Sequence, residues 1–142
     1  MKKNPGRTYL MARMPIAVSM LGHGLDRIPK LQEFSDHMVN QFSKSIIPVK
    51  LVAGFSTALP FIELGVGVLL ILGLFTRFSC VIGLLVMLAL IFGSSMIEQW
   101  ENVFTQIIYG LYFSMLYYYA VYNRYSFDRL LSRVPNAKSH VL

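Results

Sequence analysis

Residues Lys50 to Leu74 read "KLVAGFSTALPFIELGVGVLLILGL", with Lys50 at the edge and Glu63 in the middle as the charged residues. A run of about 20 mostly apolar residues is long enough to cross a bilayer as a helix. After the short connection "FTR" (Phe75 to Arg77), a second apolar run extends from Phe78 to Met96. A connection that short makes the two runs antiparallel neighbours. Both runs are continuously apolar rather than alternating, which argues for helices and against a transmembrane β-barrel.

Two further runs complete the pattern. Tyr9 to Leu25 is apolar apart from Arg13, and Val103 to Tyr122 follows the connection "IEQWEN". The expected fold is an all-α membrane protein, an antiparallel bundle of four transmembrane helices. The spans cover about residues 9–25, 50–74, 78–96 and 103–122 of one 1–142 domain. Between the first two spans, Leu31, Phe34, Met38, Phe42 and Ile46 recur near helical spacing among polar neighbours. This predicts an amphipathic interfacial helix over about residues 29–48, started by Pro29 and ended by Pro48. The tail, residues 123–142, holds "NRYSFDRLLSR", which reads as a short helix capped by Ser126.

Composition agrees with a membrane chain: hydrophobic residues are 55% and charged residues 14% of the 142. The net charge of +6 reads as topology rather than nucleic-acid binding, because no basic stripe is interleaved with aromatics. Lys2, Lys3, Arg7, Arg77, Arg124, Arg129, Arg133 and Lys138 fall on one side of the bundle. Arg27, Lys30, Lys44 and Lys50 fall on the other. The positive-inside rule then puts both termini in the cytoplasm. Tyr117, Tyr118, Tyr119, Tyr122 and Tyr125 form an aromatic belt on that side, and Trp100 marks the other. Arg13 interrupts the apolar stretch of the N-terminal segment and no small-residue cleavage site follows, so this segment reads as a retained span.

Charged groups at membrane depth are partnered or functional. Counting about 1.5 Å per residue, Arg13 lies roughly 9 Å and Glu63 roughly 15 Å from the cytoplasmic ends of their spans, within one arginine length. The expectation is an Arg13–Glu63 pair, with His23 higher up. Glu63 shares a face with Ser56, Pro60 and Gly67, and Pro60 frees the Ser56 carbonyl as an acceptor. Gln106, Gly110 and Ser114 make a polar, small-residue face on the last span, with Tyr109 a turn below Gln106. The candidate ligand-binding residues are therefore His23, Glu63, Arg13, Gln106, Tyr109 and Arg27. They would line a pocket opening from the outer leaflet beneath the amphipathic helix. Plainer roles compete: a structural ion pair for Arg13 and Glu63, an interfacial cap for His23, and interhelical glue for Gln106.

No catalytic residue is assigned. Cys80 is the single cysteine, so an intramolecular disulfide and a CxxC motif are excluded, and it reads as a packing residue. His37 and His140 read as solvated. One intramembrane histidine is too few for bis-histidine haem, and no cluster has metal-ligand spacing.

Several stretches together resemble the DoxX family: "HGLDRIPKL" (His23 to Leu31), "LPFIELGVGVLLILGLFTR" (Leu59 to Arg77), "MLALIFGSS" (Met87 to Ser95) and "NRYSFDRLL" (Asn123 to Leu131). The matching positions are Arg13, His23, Gly24, Lys30, Pro60, Glu63 and Arg77. The resemblance implies a small, multi-pass four-helix protein of the bacterial inner membrane, related to the DoxD subunit of thiosulfate:quinone oxidoreductase. It points to a quinone- or quinol-binding or accessory subunit of a membrane redox complex. Quinone would be the cofactor, with none covalently bound, and the partners would be the lipid bilayer and a membrane or extracytoplasmic redox protein. Any catalysis would be an oxidoreductase partner's as much as its own. A non-catalytic protein for membrane interaction, or for handling lipid or a small solute, is the alternative, and a homo-oligomer stays open.

Overall fold

The computed structural model describes residues 4–132. Lys2, Lys3, Arg133 and Lys138, which count toward the basic side, and His140 lie outside the described residues. The described residues are helical, with no strand among them. Helix α1 (Pro5–Arg27) passes through a 3₁₀ turn (Ile28–Lys30) into α2 (Leu31–Gln41). Then come α3 (Val49–Leu72), α4 (Thr76–Met96) and α5 (Trp100–Tyr118), a second 3₁₀ turn (Tyr119–Tyr122), and the short α6 (Phe127–Leu131).

The helix ends follow local chemistry. Asn4 caps α1, its side chain accepting from the Arg7 N–H at 3.4 Å, and Pro5 sits where a missing N–H is harmless. Helix α3 stops at Gly73, which takes the left-handed conformation at φ 67°. There the Leu74 N–H bonds the Leu69 carbonyl at 2.9 Å and the Gly73 N–H bonds Leu70 at 3.2 Å, the two bonds of a Schellman close. The turn into α5 is confined to residues 97–99, with Glu98 at φ 58°, so Trp100 and Glu101 of the expected connection are already helical.

The segment after α1 departs from expectation. It is helical over Leu31–Gln41 rather than to Pro48, and the chain then turns. Ser43 Oγ donates to the Asn40 carbonyl and Ser45 Oγ to Phe42, each at 2.8 Å. Such side-chain bonds offer the backbone an alternative to the helix. Ile46, expected on the apolar face of that helix, lies beyond its end and is 85% exposed. Ser126 does stand at the N-cap of α6, but its hydroxyl bonds back to Asn123 O at 2.9 Å instead of capping.

The four long helices run alternately up and down. Helix α1 packs on α3 and α4 on α5, with α3 also meeting α4 and α2 lying on α3. The α1–α3 approach is close because small residues line it. A Cβ on Gly24 would meet the Leu64 backbone at 2.7 Å, and one on Gly67 would meet Leu21 N at 2.5 Å. Tyrosines stitch α1 to α5: Tyr9 donates to Leu116 O at 2.8 Å, Tyr112 donates to Ala12 O at 2.6 Å, and Tyr109 shares a hydrogen bond with Ser19 at 2.8 Å. Cys80 is buried in the core beside Phe113 and Leu116, as a packing residue should be.

Helices α3 and α4 are long and apolar enough to cross a membrane, with mean hydropathies of 2.0 and 2.3. Their outward faces carry Phe61, Val68, Phe78, Leu85 and Phe92, all exposed.

Candidate functional site

Glu63 lies on the buried face of α3 with Ser56, Pro60 and Gly67. Its partner is Arg27, not Arg13. Arg27 Nη1 donates to both Glu63 oxygens, at 2.6 and 2.8 Å. The crossing explains the difference. Gly24 faces Leu64 and Gly67 faces Leu21, so Glu63 faces the last turn of α1. The helix ends are not level: the first turns of α1 overhang the α3–α4 turn, and Gly6 packs against Arg124 and Tyr125. Arg13 is thereby brought beside Gly73. Depth counted from the end of each span assumes flush ends and misses this stagger.

The Glu63 side chain is 3% exposed and that of Arg27 is 24% exposed. The Arg27 guanidinium also lies over the Phe34 ring of α2, 4.7 Å from its centroid. One residue therefore joins α1, α2 and α3. A buried hydroxyl pair, Ser35 Oγ to Ser56 Oγ at 2.7 Å, fastens α2 to α3 again.

Beneath α2 is a cavity of about 350 Å³. Phe34, Met38 and Phe42 form its roof, Val52, Phe55 and Leu59 of α3 one wall, and Leu90, Gly93 and Ser94 of α4 another. Gly93 leaves room for the Phe42 ring, which a Cβ would meet at 3.2 Å. The polar groups of the lining are Arg27, Gln41, Ser94, Gln99, Asn102 and Gln106. Gln106 Nε2 donates to Ser94 Oγ at 3.0 Å, while its buried Oε1 has no partner. Turning the amide over moves the unpartnered atom from oxygen to nitrogen without removing it. A buried amide left half-satisfied is unfavourable unless something completes it.

The six candidate residues thus separate. Arg27 and Gln106 line the cavity, and Glu63 stands behind Arg27. His23, one turn before Arg27, is half-buried and is not in the cavity lining. Tyr109 is engaged with Ser19 below the cavity. Ser114, expected on the polar face of α5, is exposed and bonds its own helix at Gly110 O.

Arg13 belongs to a second constellation, at the opposite end. It donates to Asn123 Oδ1 at 2.6 Å, Tyr125 O at 3.2 Å and Ile71 O at 3.4 Å. Asn123 Nδ2 donates to Thr76 Oγ1 at 2.8 Å. Asp128 accepts from Phe75 N, Thr76 N and Thr76 Oγ1 at 2.7, 3.1 and 3.2 Å. The segment after α5 thus folds back to cap α4 and surround Arg13. Asn123, Thr76 and Asp128 were not among the candidates. The signal for them was the joint presence of an early arginine, "GLFTR" and "NRYSFD". No metal-binding group of three or more His, Cys, Asp or Glu side chains gathers among the described residues.

A model of the DoxX family matches residues 8–95, which span α1 to most of α4 and contain Arg13, His23, Arg27 and Glu63. No curated protein and no solved structure matches the chain. The match covers more than half of the sequence, so the chain belongs to the DoxX family. Family membership and the two apolar helices α3 and α4 mark it as a membrane protein.

Proposed function

We propose that this DoxX protein spans the bacterial inner membrane four times and binds a quinone- or quinol-class lipophile in the cavity beneath α2, as an accessory subunit of a membrane redox complex. The lengths of α1 and α5, 23 and 19 residues, suit a span. Their outward faces carry Met11, Val18, Phe104 and Leu111, while Arg13 is turned inward at 1% exposure. Arg7, Arg77, Arg124 and Arg129 gather at the α6 end, which becomes the cytoplasmic side. The exposed tyrosines 117, 118, 119, 122 and 125 then sit at that interface and Trp100 at the outer one.

The observation that carries the ligand reading is the half-unpartnered, buried amide of Gln106 in the lining of a largely apolar cavity. The volume falls near the lower end of small-molecule sites, about 300 Å³ and upward. With one amide rotamer Gln106 presents an oxygen that accepts from a quinol O–H. With the other it presents an N–H₂ that donates to a quinone carbonyl, while Ser94 turns its hydroxyl to donate. Arg27, anchored on Glu63, keeps further N–H groups for the second oxygen. Among the described residues no carboxylate or imidazole lines the cavity; in this reading the protein holds the ligand and a redox partner carries the electrons.

Arg27 favours one further reading. A guanidinium at the cavity suits a phosphate headgroup as well as a carbonyl, which would make the protein a lipid-handling one. The test is to purify the chain in mild detergent and extract what it holds. Stoichiometric quinone, lost on Gln106→Leu, supports the redox reading; phospholipid alone replaces it with the second. Cysteine labelling at Gln41 and Leu131 checks the topology, and accessibility of both from the same side would overturn it.

A further inference from the structure

Arg13 is a buried cation with no anion against it among the described residues. It is 1% exposed, its three acceptors are a side-chain amide and two backbone carbonyls, and its Nε has no partner. The ion pairs among the described residues, Arg27–Glu63 and Lys30–Asp26, lie at the other end of the bundle. Asp128, the acid of this layer, has both carboxylate oxygens occupied by the cap of α4. Beside Arg13 is a cavity of about 420 Å³, whose lining also includes Arg124 and Arg129 and, among the described residues, contains no acid. Three guanidinium groups around one cavity repel one another unless an anion joins them.

We infer that this cavity takes a phosphate group, presented as the headgroup of an anionic phospholipid from the leaflet at the α6 end. Guanidinium geometry matches phosphate oxygens, and Arg13, Arg124 and Arg129 all line the one cavity. Apart from Tyr125 and Ser126 the remaining walls are apolar, and three of their side chains face outward: Leu72, Phe127 and Leu130 are 41%, 49% and 58% exposed. They give an acyl chain a continuous path from headgroup to bilayer. Arg13 lies level with the α3–α4 turn, at the depth of a headgroup rather than of the hydrocarbon. The site lies at the end of the bundle away from the cavity beneath α2, and either can fail without the other.

The test compares the delipidated wild-type chain with Arg124→Gln/Arg129→Gln. These two side chains make no hydrogen bond or ion pair among the described residues, so the variant keeps its bundle, checked by unfolding without lipid. Both proteins are titrated in detergent with phosphatidylglycerol, phosphatidylcholine and inorganic phosphate, and binding is read by native mass spectrometry and thermal shift. Wild type should retain phosphatidylglycerol over phosphatidylcholine, and the variant should bind it about twenty-five-fold more weakly, from about five-fold per arginine. Equal stabilisation by inorganic phosphate would keep the anion site and make its source free phosphate. Equal retention of the two lipids, or unchanged retention by the variant, would overturn it.

Discussion

Arg27 and Glu63 stand 36 residues apart and meet through one nitrogen that reaches both carboxylate oxygens, at 2.6 and 2.8 Å. The pair is lopsided: the acid is buried while the base keeps a route to water. Removing Arg27 strands a buried carboxylate, whereas removing Glu63 leaves a cation that can turn outward. Arg27→Gln should therefore destabilise the bundle by about 3–5 kcal/mol, and Glu63→Gln by clearly less. The double variant should cost far less than the sum of the two. Thermal unfolding in detergent measures all three, and additive losses would show that the pair is not coupled.

Gly73 carries two constraints at once. Its φ of 67° disfavours any side chain, and a Cβ would collide with the Arg13 guanidinium and Ser126. Asparagine often replaces glycine at such helix ends because it tolerates the left-handed region. Here it should not, since the collision remains. Gly73→Asn and Gly73→Ala should both lower stability by more than the ~1 kcal/mol of backbone preference alone. A Gly73→Asn protein that unfolds at the wild-type temperature would show that the network around Arg13 is loose.

Asp128 links the chain reversal to α4 through charge at the start of a helix. Asp128→Asn keeps the shape but weakens the acceptor. The expected loss is about 1–2 kcal/mol, with faster proteolytic cutting between Asn123 and Ser132 than elsewhere. Limited proteolysis followed by mass mapping reads this directly, and an unchanged cutting pattern contradicts the capping role.

These networks mark the limit of what the sequence alone conveys. The long helices were legible because apolar runs and caps are local: α3 and α4 lie within two residues of the expected spans 50–74 and 78–96. The buried face of Ser56, Pro60, Glu63 and Gly67 followed from helical spacing. The partner of Glu63 did not, because it depends on the stagger between α1 and α3, which is set by where Gly24 and Gly67 let the backbones touch. The Arg13 network was hidden for a related reason. Two of its three acceptors lie more than 100 residues downstream, at Asn123 and Tyr125, and a neutral amide facing a cation carries no charge pattern to read. Gln106 was legible as a polar residue at depth, but only the packing of Ser94 against it shows that half of its amide is left over.

That leftover half separates binding from stability. If Gln106 served only to hold α4 and α5 together, replacing it with leucine would remove a useful hydrogen bond to Ser94 and weaken the bundle. If its unpartnered atom awaits a ligand, the empty protein bears a desolvated polar group, and leucine relieves it. Gln106→Leu should then cost the ligand-free protein no more than about 1 kcal/mol, since the bond lost to Ser94 is offset by removal of a half-satisfied buried amide. The same variant should lose the stabilisation that added quinone gives the wild type. Ser94→Ala serves as the control, because it removes the internal partner and frees both amide atoms. It should cost about 1 kcal/mol yet preserve quinone-dependent stabilisation. A Gln106→Leu protein that is both less stable without ligand and still stabilised by quinone would assign the residue to helix packing.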